Sequence, residues 1–567
     1  MATTAEFVNA FKDKESPAPS KGMTFTENGA LAHLGTGSKC LDFFTKVMAR
    51  DKRTAMSDEN IQQCMMEAWQ ECPALALRLV ANLRDIRGDT GKGERHASEV
   101  CWKWLLEHHY PQIQANMVHI PFFGRWKDLL DICLGTPLEA QMLQLYAEQL
   151  VRDLESYRLG FDSDDALERS KHYGVITLAS KWAPTEKCSY DKEAKKANRP
   201  TPSFRLATIV HGLVDAPASC SRGTALMRWY RKEVLTPLRE VIGIVERYLC
   251  AREFDKIDFS KVPGVALKIY SKKTFPNDKR PELATRFAQW QQDVLTGKVK
   301  MNTGTVDPYE VVDLLYRGKA STDQIPTLEA FYQKQVEVLR AKLTDKFGDA
   351  VPSSVFVIDT SGSMTWDGGI PIVVALSLGI WGSAIANPAW RDLFFTFETI
   401  PSIVNLSDCK TLQERIACAA QASVGGSTDL QATLDLILRT AVDKGLSKEQ
   451  MPNRLVIVSD MQFNAAVGHY GSAPEQLFTN LEVMRAKFRK AGYDMPIIVF
   501  WNVRGNVNPQ SGAPATADDK GVIMLSGFSK SLLTLIMEGD ELPTPRDIML
   551  KALSDERYDR LCVVDEN

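Results

Sequence analysis

VFVIDTSGSM, residues 355–364, decides the fold. Four apolar residues run without interruption into Asp359. A continuous apolar run of that kind reads as a strand buried on both faces. Gly362 lets the chain turn, and PIVVALSLGIWGSAIA (371–386) follows as a helix. The alternation repeats downstream. LFFTF (393–397), RLVIVSD (454–460) and MPIIVFW (495–501) are further strands, with helical segments at 430–445 and 474–492 between them. VIMLS (522–526) and SKSLLTLIMEG (529–539) add a last strand and helix, after a long surface loop at 502–520. The pattern predicts a doubly wound, Rossmann-like α/β domain over 350–545, with right-handed crossovers and a ligand site beyond the carboxyl ends of the strands.

The chemistry sits at those strand ends. Asp359, Ser361 and Ser363 form D-x-S-x-S, placing a carboxylate and two hydroxyls at alternate positions of a tight turn. A second loop carries Gly425-Gly426-Ser427-Thr428-Asp429, and a third carries Asp460. All three leave the same sheet edge, so their oxygens can meet. An all-oxygen site with few formal charges suits a hard cation, Mg²⁺ first, with Mn²⁺ or Ca²⁺ as alternatives. The competing reading of D-x-S-x-S is a capped turn that opens a helix.

VFVIDTSGSM, GGSTDL (425–430) and VSDMQF (458–463) resemble the three segments of a von Willebrand factor type A (vWA) domain with a metal-ion-dependent adhesion site. The resemblance covers about 353–540. It implies that the hydroxyls of Ser361, Ser363 and Thr428 face the metal, and that Asp359 and Asp460 bind it directly or through water. Asp429 is an alternative to Thr428. One position would stay open for an anionic oxygen from a protein partner.

Upstream the pattern is helical. IQQCMMEAWQECPALALRLVANLRDI (61–86), WKDLLDICLG (126–135), PLEAQMLQLYAEQLVRDLESY (137–157) and MRWYRKEVLTPLREVIGIVERYLC (227–250) carry apolar residues three and four apart. Gly135 marks a helix stop, and Pro237 a helix start. Many helices and almost no strand signals predict a helical, repeat-like array over 23–349. Residues 183–203 read as an exposed loop, 1–22 as a disordered tail rich in Pro, Ser and Lys, and 546–567 as a C-terminal extension. The 567 residues are too many for one small core, and 44% apolar with 25% charged residues excludes wholesale disorder. The net charge of −3 excludes a polycationic nucleic-acid packer, though not a local basic face. That charge is unevenly shared: residues 350–567 hold 18 Lys and Arg against 25 Asp and Glu, the remainder 50 against 46. Eleven cysteines without a C-x-x-C pair read as free thiols in a reducing, cytoplasmic setting. The start resembles no secretory signal, and no run of about 18 apolar residues is present, so neither export nor a membrane span is expected.

TENGALAHLGTGSKCLDFF (26–44), LRDIRGDTGKGERH (83–96), IPFFGRWKDLL (120–130), ITLASKWAPTE (176–186), WYRKEVLTPLREVIGIVE (229–246) and LSGFSKSLL (525–533) resemble the DUF2828 family. The sequence departs from the family at Asp89-Thr90, which lengthens a glycine-lysine turn. The family is similar in layout to the TROVE module of Ro autoantigens, whose helical ring holds small or misfolded RNA. The resemblance therefore implies an RNA-binding scaffold. Arg84, Arg87, Lys92, Arg95, Arg125 and Lys127 are the candidate RNA contacts, with Phe122, Phe123 and Trp126 as stacking surfaces. The same residues also read as helix caps, core aromatics and Arg–Asp pairs. A protein–protein adaptor, its array binding polypeptide with no RNA role, is the alternative. No nucleophile elbow is present, and Ser361 occupies the place of the second aspartate that dehalogenase-type phosphatases need, so no catalysis is expected.

Overall fold

The structure is a computed structural model that describes residues 23–25, 31–348, 354–397, 401–421, 430–461, 486–505, 513–537 and 543–565. The expected tail at 1–22, the loop bearing Thr428 and most of the helix expected at 474–492 lie outside the described residues.

A short antiparallel hairpin, β1 (Met23–Phe25) and β2 (Leu31–His33), leads into the helical array. Helix α1 (Lys39–Lys46) starts at Ser38, whose hydroxyl accepts from the Leu41 amide. The apolar stretch at 61–86 divides into α2 (Asp58–Glu71) and α3 (Pro73–Arg84), because Pro73 can open a helix but cannot continue one. Then come α4 (Arg95–His108), α5 (Tyr110–Asn116), α6 (Trp126–Cys133) and α7 (Glu139–Asp162). Gly135 stands just past α6 with φ +80°, as its stop signal requires. The stretch 183–203 is not simply a loop. It holds α8 (Ser189–Lys196), whose buried Asp191 accepts from the Ser203 hydroxyl at 2.6 Å and the Ser203 amide at 3.1 Å. Its polar composition hid a helix tied down by one carboxylate. Pro237 lies in the first turn of a helix over Thr236–Val241, preceded by a π-helical turn at Tyr230–Leu235. The array ends with α9 (Pro308–Tyr316) and α10 (Ile325–Phe347).

The second part is built on a six-stranded sheet. β3 (Ser354–Asp359), β4 (Leu393–Phe397), β5 (Ile403–Asn405), β6 (Arg454–Ser459), β7 (Ile497–Asn502) and β8 (Val522–Ser526) take the order β5-β4-β3-β6-β7-β8. All neighbours are parallel except β4 and β5, so the sheet is doubly wound with one antiparallel edge strand. Helices α11 (Trp366–Ile385), α12 (Leu412–Ala420), α13 (Leu430–Lys444), α14 (Ser531–Met537) and α15 (Pro545–Leu553) belong to this part. Ile358 is opposite Val458, which sets Asp359 level with Ser459 and Asp460 one residue beyond.

Helix α11 joins the two parts. Every residue from Ile370 to Ile385 is buried. The span Gly362–Ile385 is long and apolar enough to cross a membrane, with mean hydropathy 1.8, but 83% of that window lies inside the fold. It packs on β3 from one side and on α9 and α10 from the other, which is why it has no polar face. Gly379 and Gly382 permit the close approach: a Cβ on Gly382 would come within 2.2 Å of Phe356. Other contacts reinforce the junction. Lys530 donates to the carbonyls of Gly304 and Val306, each at 2.8 Å, and Lys92 donates to Ser526 of β8 at 2.9 Å. After α15 the chain runs back across α3 and α5 as far as Asp565. All eleven cysteines are unpaired.

Candidate functional site

Asp359 ends β3, and its carboxylate shapes the turn that follows. The Ser361 amide donates to Asp359 Oδ1 at 2.9 Å, and the Met364 amide returns to the Ser361 carbonyl at 3.1 Å. This tight path brings the Ser361 and Ser363 hydroxyls to 3.1 Å. From the neighbouring strand, the Ser459 hydroxyl donates to Asp359 Oδ2 at 2.5 Å. Asp359 and Asp460 are both fully buried. Burial, and then the nearby Asp460 charge, push the Asp359 carboxyl up to about 6. Ser361 and Ser363 form the more open side of the cluster.

A cation already attends this group. Arg504, just past β7, pairs through Nε with Asp367 at 2.9 Å and through Nη1 with Asp460 at 3.5 Å. Its guanidinium lies over the Trp366 ring, 5.4 Å from the centroid. Asp367, Gly368 and Gly369 all have positive φ, of 55°, 70° and 67°. Arg317, just past α9, donates to the Gly368 carbonyl at 2.6 Å and holds that turn from the array side. Ser459, Asp367 and Arg504 join this cluster of side chains, and the sequence reading did not single them out for it. Their weak signals were a serine before Asp460, a Trp-Asp pair and an arginine at a strand end.

The donor set fits a small hard cation. In an octahedral shell with bonds of about 2.0–2.1 Å, adjacent ligand oxygens stand about 3.0 Å apart. The two serine hydroxyls already have that separation. Both Asp359 oxygens accept hydrogen bonds, yet each keeps a second lone pair. Thr428 lies outside the described residues. Among the described residues, no three His, Cys, Asp or Glu side chains gather in a metal-binding group, so a site here rests on hydroxyls as much as on carboxylates.

The six candidate RNA contacts have a different setting. Arg84 is buried against Asp128, with Nε 2.6 Å from Oδ2. Lys92 is buried and donates to the Phe44 carbonyl and, at 2.9 Å, to Ser526 of β8. Neither side chain faces solvent-borne phosphate. Arg87 donates to the carbonyls of Phe122 and Gly124, at 2.8 and 2.7 Å. Arg95 pairs with Asp131 at 2.5 Å, Arg125 with Asp128 at 3.4 Å, and Lys127 with Asp131 at 2.8 Å. Four of the six thus converge on two aspartates, Asp128 and Asp131. Phe123 is buried under the C-terminal segment, and Trp126 packs on Tyr146. The family departure at Asp89-Thr90 is also engaged: Asp89 pairs with Lys342 at 2.6 Å, and Thr90 donates to the Ala552 carbonyl at 2.9 Å.

Comparison with known proteins adds the family. Residues 26–139 and 136–345 match the model described as domain of unknown function DUF2828, more than half of the chain. The chain belongs to the DUF2828 family. In this DUF2828 protein the α/β part matches a second model, domain of unknown function DUF7788, over residues 353–561. Uncharacterized protein L728 of Acanthamoeba polyphaga mimivirus is 30% identical over 554 residues, spanning 94% of this chain and 87% of that protein. Among solved structures, the Deinococcus radiodurans Ro (RSR) protein aligns with 15% identity and a TM-score of 0.43, covering 92% of this chain and 100% of that one.

Proposed function

We propose that this DUF2828 protein is a non-enzymatic binding scaffold whose α/β part captures an acidic partner through a divalent cation. One observation carries the reading: two hydroxyls 3.1 Å apart stand in the turn after a buried aspartate, and a second buried aspartate follows the adjacent strand. Asp359, Ser361, Ser363 and Asp460 would hold the ion, with Thr428 as the remaining member of the set. Mg²⁺ is the first choice, and Mn²⁺ or Ca²⁺ would use the same oxygens. A bound ion would supply an open coordination position for a carboxylate oxygen. Ser459 orients Asp359 toward the turn, and Arg504 balances the second carboxylate.

Calorimetry with Mg²⁺ and Mn²⁺ tests this. Wild-type protein is expected to bind one ion, and Asp359→Ala to bind none while circular dichroism reports intact helices. Wild-type-like binding in the variant rejects the assignment.

For the helical array, the polypeptide reading is favoured by an observation: the array already holds a run of chain through that run's main-chain groups. The RNA reading, which the family resemblance implies, would rest on other cations than the six named above. Lys192, Lys195 and Lys196 on α8 are exposed. Purification without nuclease, followed by the 260/280 nm absorbance ratio before and after a high-salt wash, separates the two. Salt-releasable nucleic acid supports the RNA scaffold. A nucleic-acid-free protein that ignores labelled RNA at low salt supports the adaptor.

A further inference from the structure

The segment 554–565 lies on the array as a ligand lies on a receptor. Asn116 and Gln112 of α5 are one helical turn apart. The Asn116 side chain donates to the Cys562 carbonyl at 2.7 Å and accepts from the Cys562 amide at 3.0 Å. Gln112 does the same to Val564, at 2.6 and 3.0 Å. Four residues of helix rise about 6.0 Å, and two residues of extended chain span about 6.6 Å. The two amides therefore match every second residue of an extended peptide. They grip main-chain groups, which every residue but proline supplies in full.

Side-chain recognition comes from an anchor at the other end. Tyr558 is buried with its ring stacked on Phe123, centroids 5.5 Å apart. Its hydroxyl accepts from Asn82 at 3.1 Å and donates to Asp85 at 3.2 Å. Arg557 pairs with the same fully buried Asp85 at 2.7 Å, and Arg560 stacks on Phe122 at 3.3 Å from its centroid. Arg78 pairs with Asp559 at 2.8 Å. Buried Asp85 thus selects an Arg-Tyr pair. Tyr558, Phe123 and Ala81 form a small apolar cluster of their own, separate from the main core. Ser554, Asp555 and Glu556, which connect the segment to α15, are exposed.

We propose that the face formed by α3, α5 and the Asp85 turn is a peptide-docking groove, and that residues 554–565 are its displaceable internal occupant. The partner in trans is a peptide that presents an Arg-Tyr pair in a short helical turn, as Glu556–Tyr558 does, and then runs on extended, with unhindered, non-proline residues four and six positions beyond the tyrosine. This inference is independent of the metal site. The attached segment acts at an effective concentration on the order of millimolar, so it masks the groove from weaker competitors.

The test uses the full chain with a protease site inserted between Ser554 and Asp555. After cutting, a fluorescent peptide of residues 554–565 is expected to exchange into the groove and to be displaced by unlabelled peptide. Uncut protein should take it up far more weakly. Gln112→Ala with Asn116→Ala should weaken binding about tenfold or more, and a peptide carrying Tyr558→Ala should not bind. Hydrogen exchange on the uncut wild-type chain gives a second readout: residues 554–565 should exchange together, well before α3 and α5. The proposal is overturned if the cut segment neither leaves nor is replaced, if a scrambled peptide binds equally well, or if 554–565 exchange only when α3 unfolds.

Discussion

Two groups of charged side chains in this protein look alike in sequence and differ in physics. In the array, Arg84, Arg95, Arg125 and Lys127 surround Asp128 and Asp131, so opposite charges are matched where they are buried. At the sheet edge, Asp359 and Asp460 are buried near each other, and Arg504 pairs with Asp460 and Asp367. A matched cluster is complete and stabilises its surroundings. A cluster of like charges is costly until something positive joins it. The difference teaches that basic residues in a glycine-rich motif mark a binding surface only when their partners are missing from the fold.

The largest expected effect tests the matched side. Arg84→Ala leaves Asp128 buried with only the longer pairs to Arg95 and Arg125, at 3.7 and 3.4 Å, and should cost about 3–5 kcal/mol in urea unfolding. A loss below about 1 kcal/mol would show that the pair is not structural.

Next comes the carboxylate-rich side. The Asp359 carboxyl is raised from 3.8 to about 6, so between those pH values the folded chain keeps a proton that the unfolded chain has released. Metal-free stability should therefore fall as pH rises through that window, by about 2–3 kcal/mol, and added Mg²⁺ should restore it above pH 6. Asp359→Asn should flatten that slope, stabilise the metal-free protein at pH 7 and abolish the Mg²⁺ effect. Thermal unfolding at a series of pH values measures all three. A slope unchanged in Asp359→Asn breaks the comparison.

Arg504→Gln sharpens it. Removing the guanidinium beside Asp460 should strengthen Mg²⁺ binding about tenfold by calorimetry. Weaker binding would instead make Arg504 a positioning residue for Asp460. A smaller effect is expected from Lys127→Ala, whose half-exposed ion pair should contribute under about 1 kcal/mol. Replacing both Arg87 and Arg95 by Ala should leave the salt dependence of any RNA binding unchanged. A flattened slope would return these arginines to the RNA surface.

The α/β part was legible because its strands are uninterrupted apolar runs that no amphipathic helix imitates. Asp359, Ser361, Ser363 and Asp460 were legible because each sits at a fixed offset from such a run. Arg504 and Asp367 were not, since 137 positions separate them and only the crossover brings them together. Arg84 and Lys92 were misplaced for the opposite reason. Their charge is visible in the sequence, while Asp128, the Phe44 carbonyl and Ser526 become their neighbours only after folding. The helix at Ser189–Lys196 escaped because, of its eight residues, only Tyr190 and Ala194 are not polar, too few to show an apolar period; one buried carboxylate fixes it instead.

Helix α11 has a practical consequence. Its two apolar sides are covered by different halves of the polypeptide, so severing the chain near residue 350 would strip each fragment of the surface that shields it. Neither half should be recoverable alone in a well-behaved form, whereas both, made together in one cell, have what they need to reassemble. The border between helices and sheet is a change of architecture within one inseparable body.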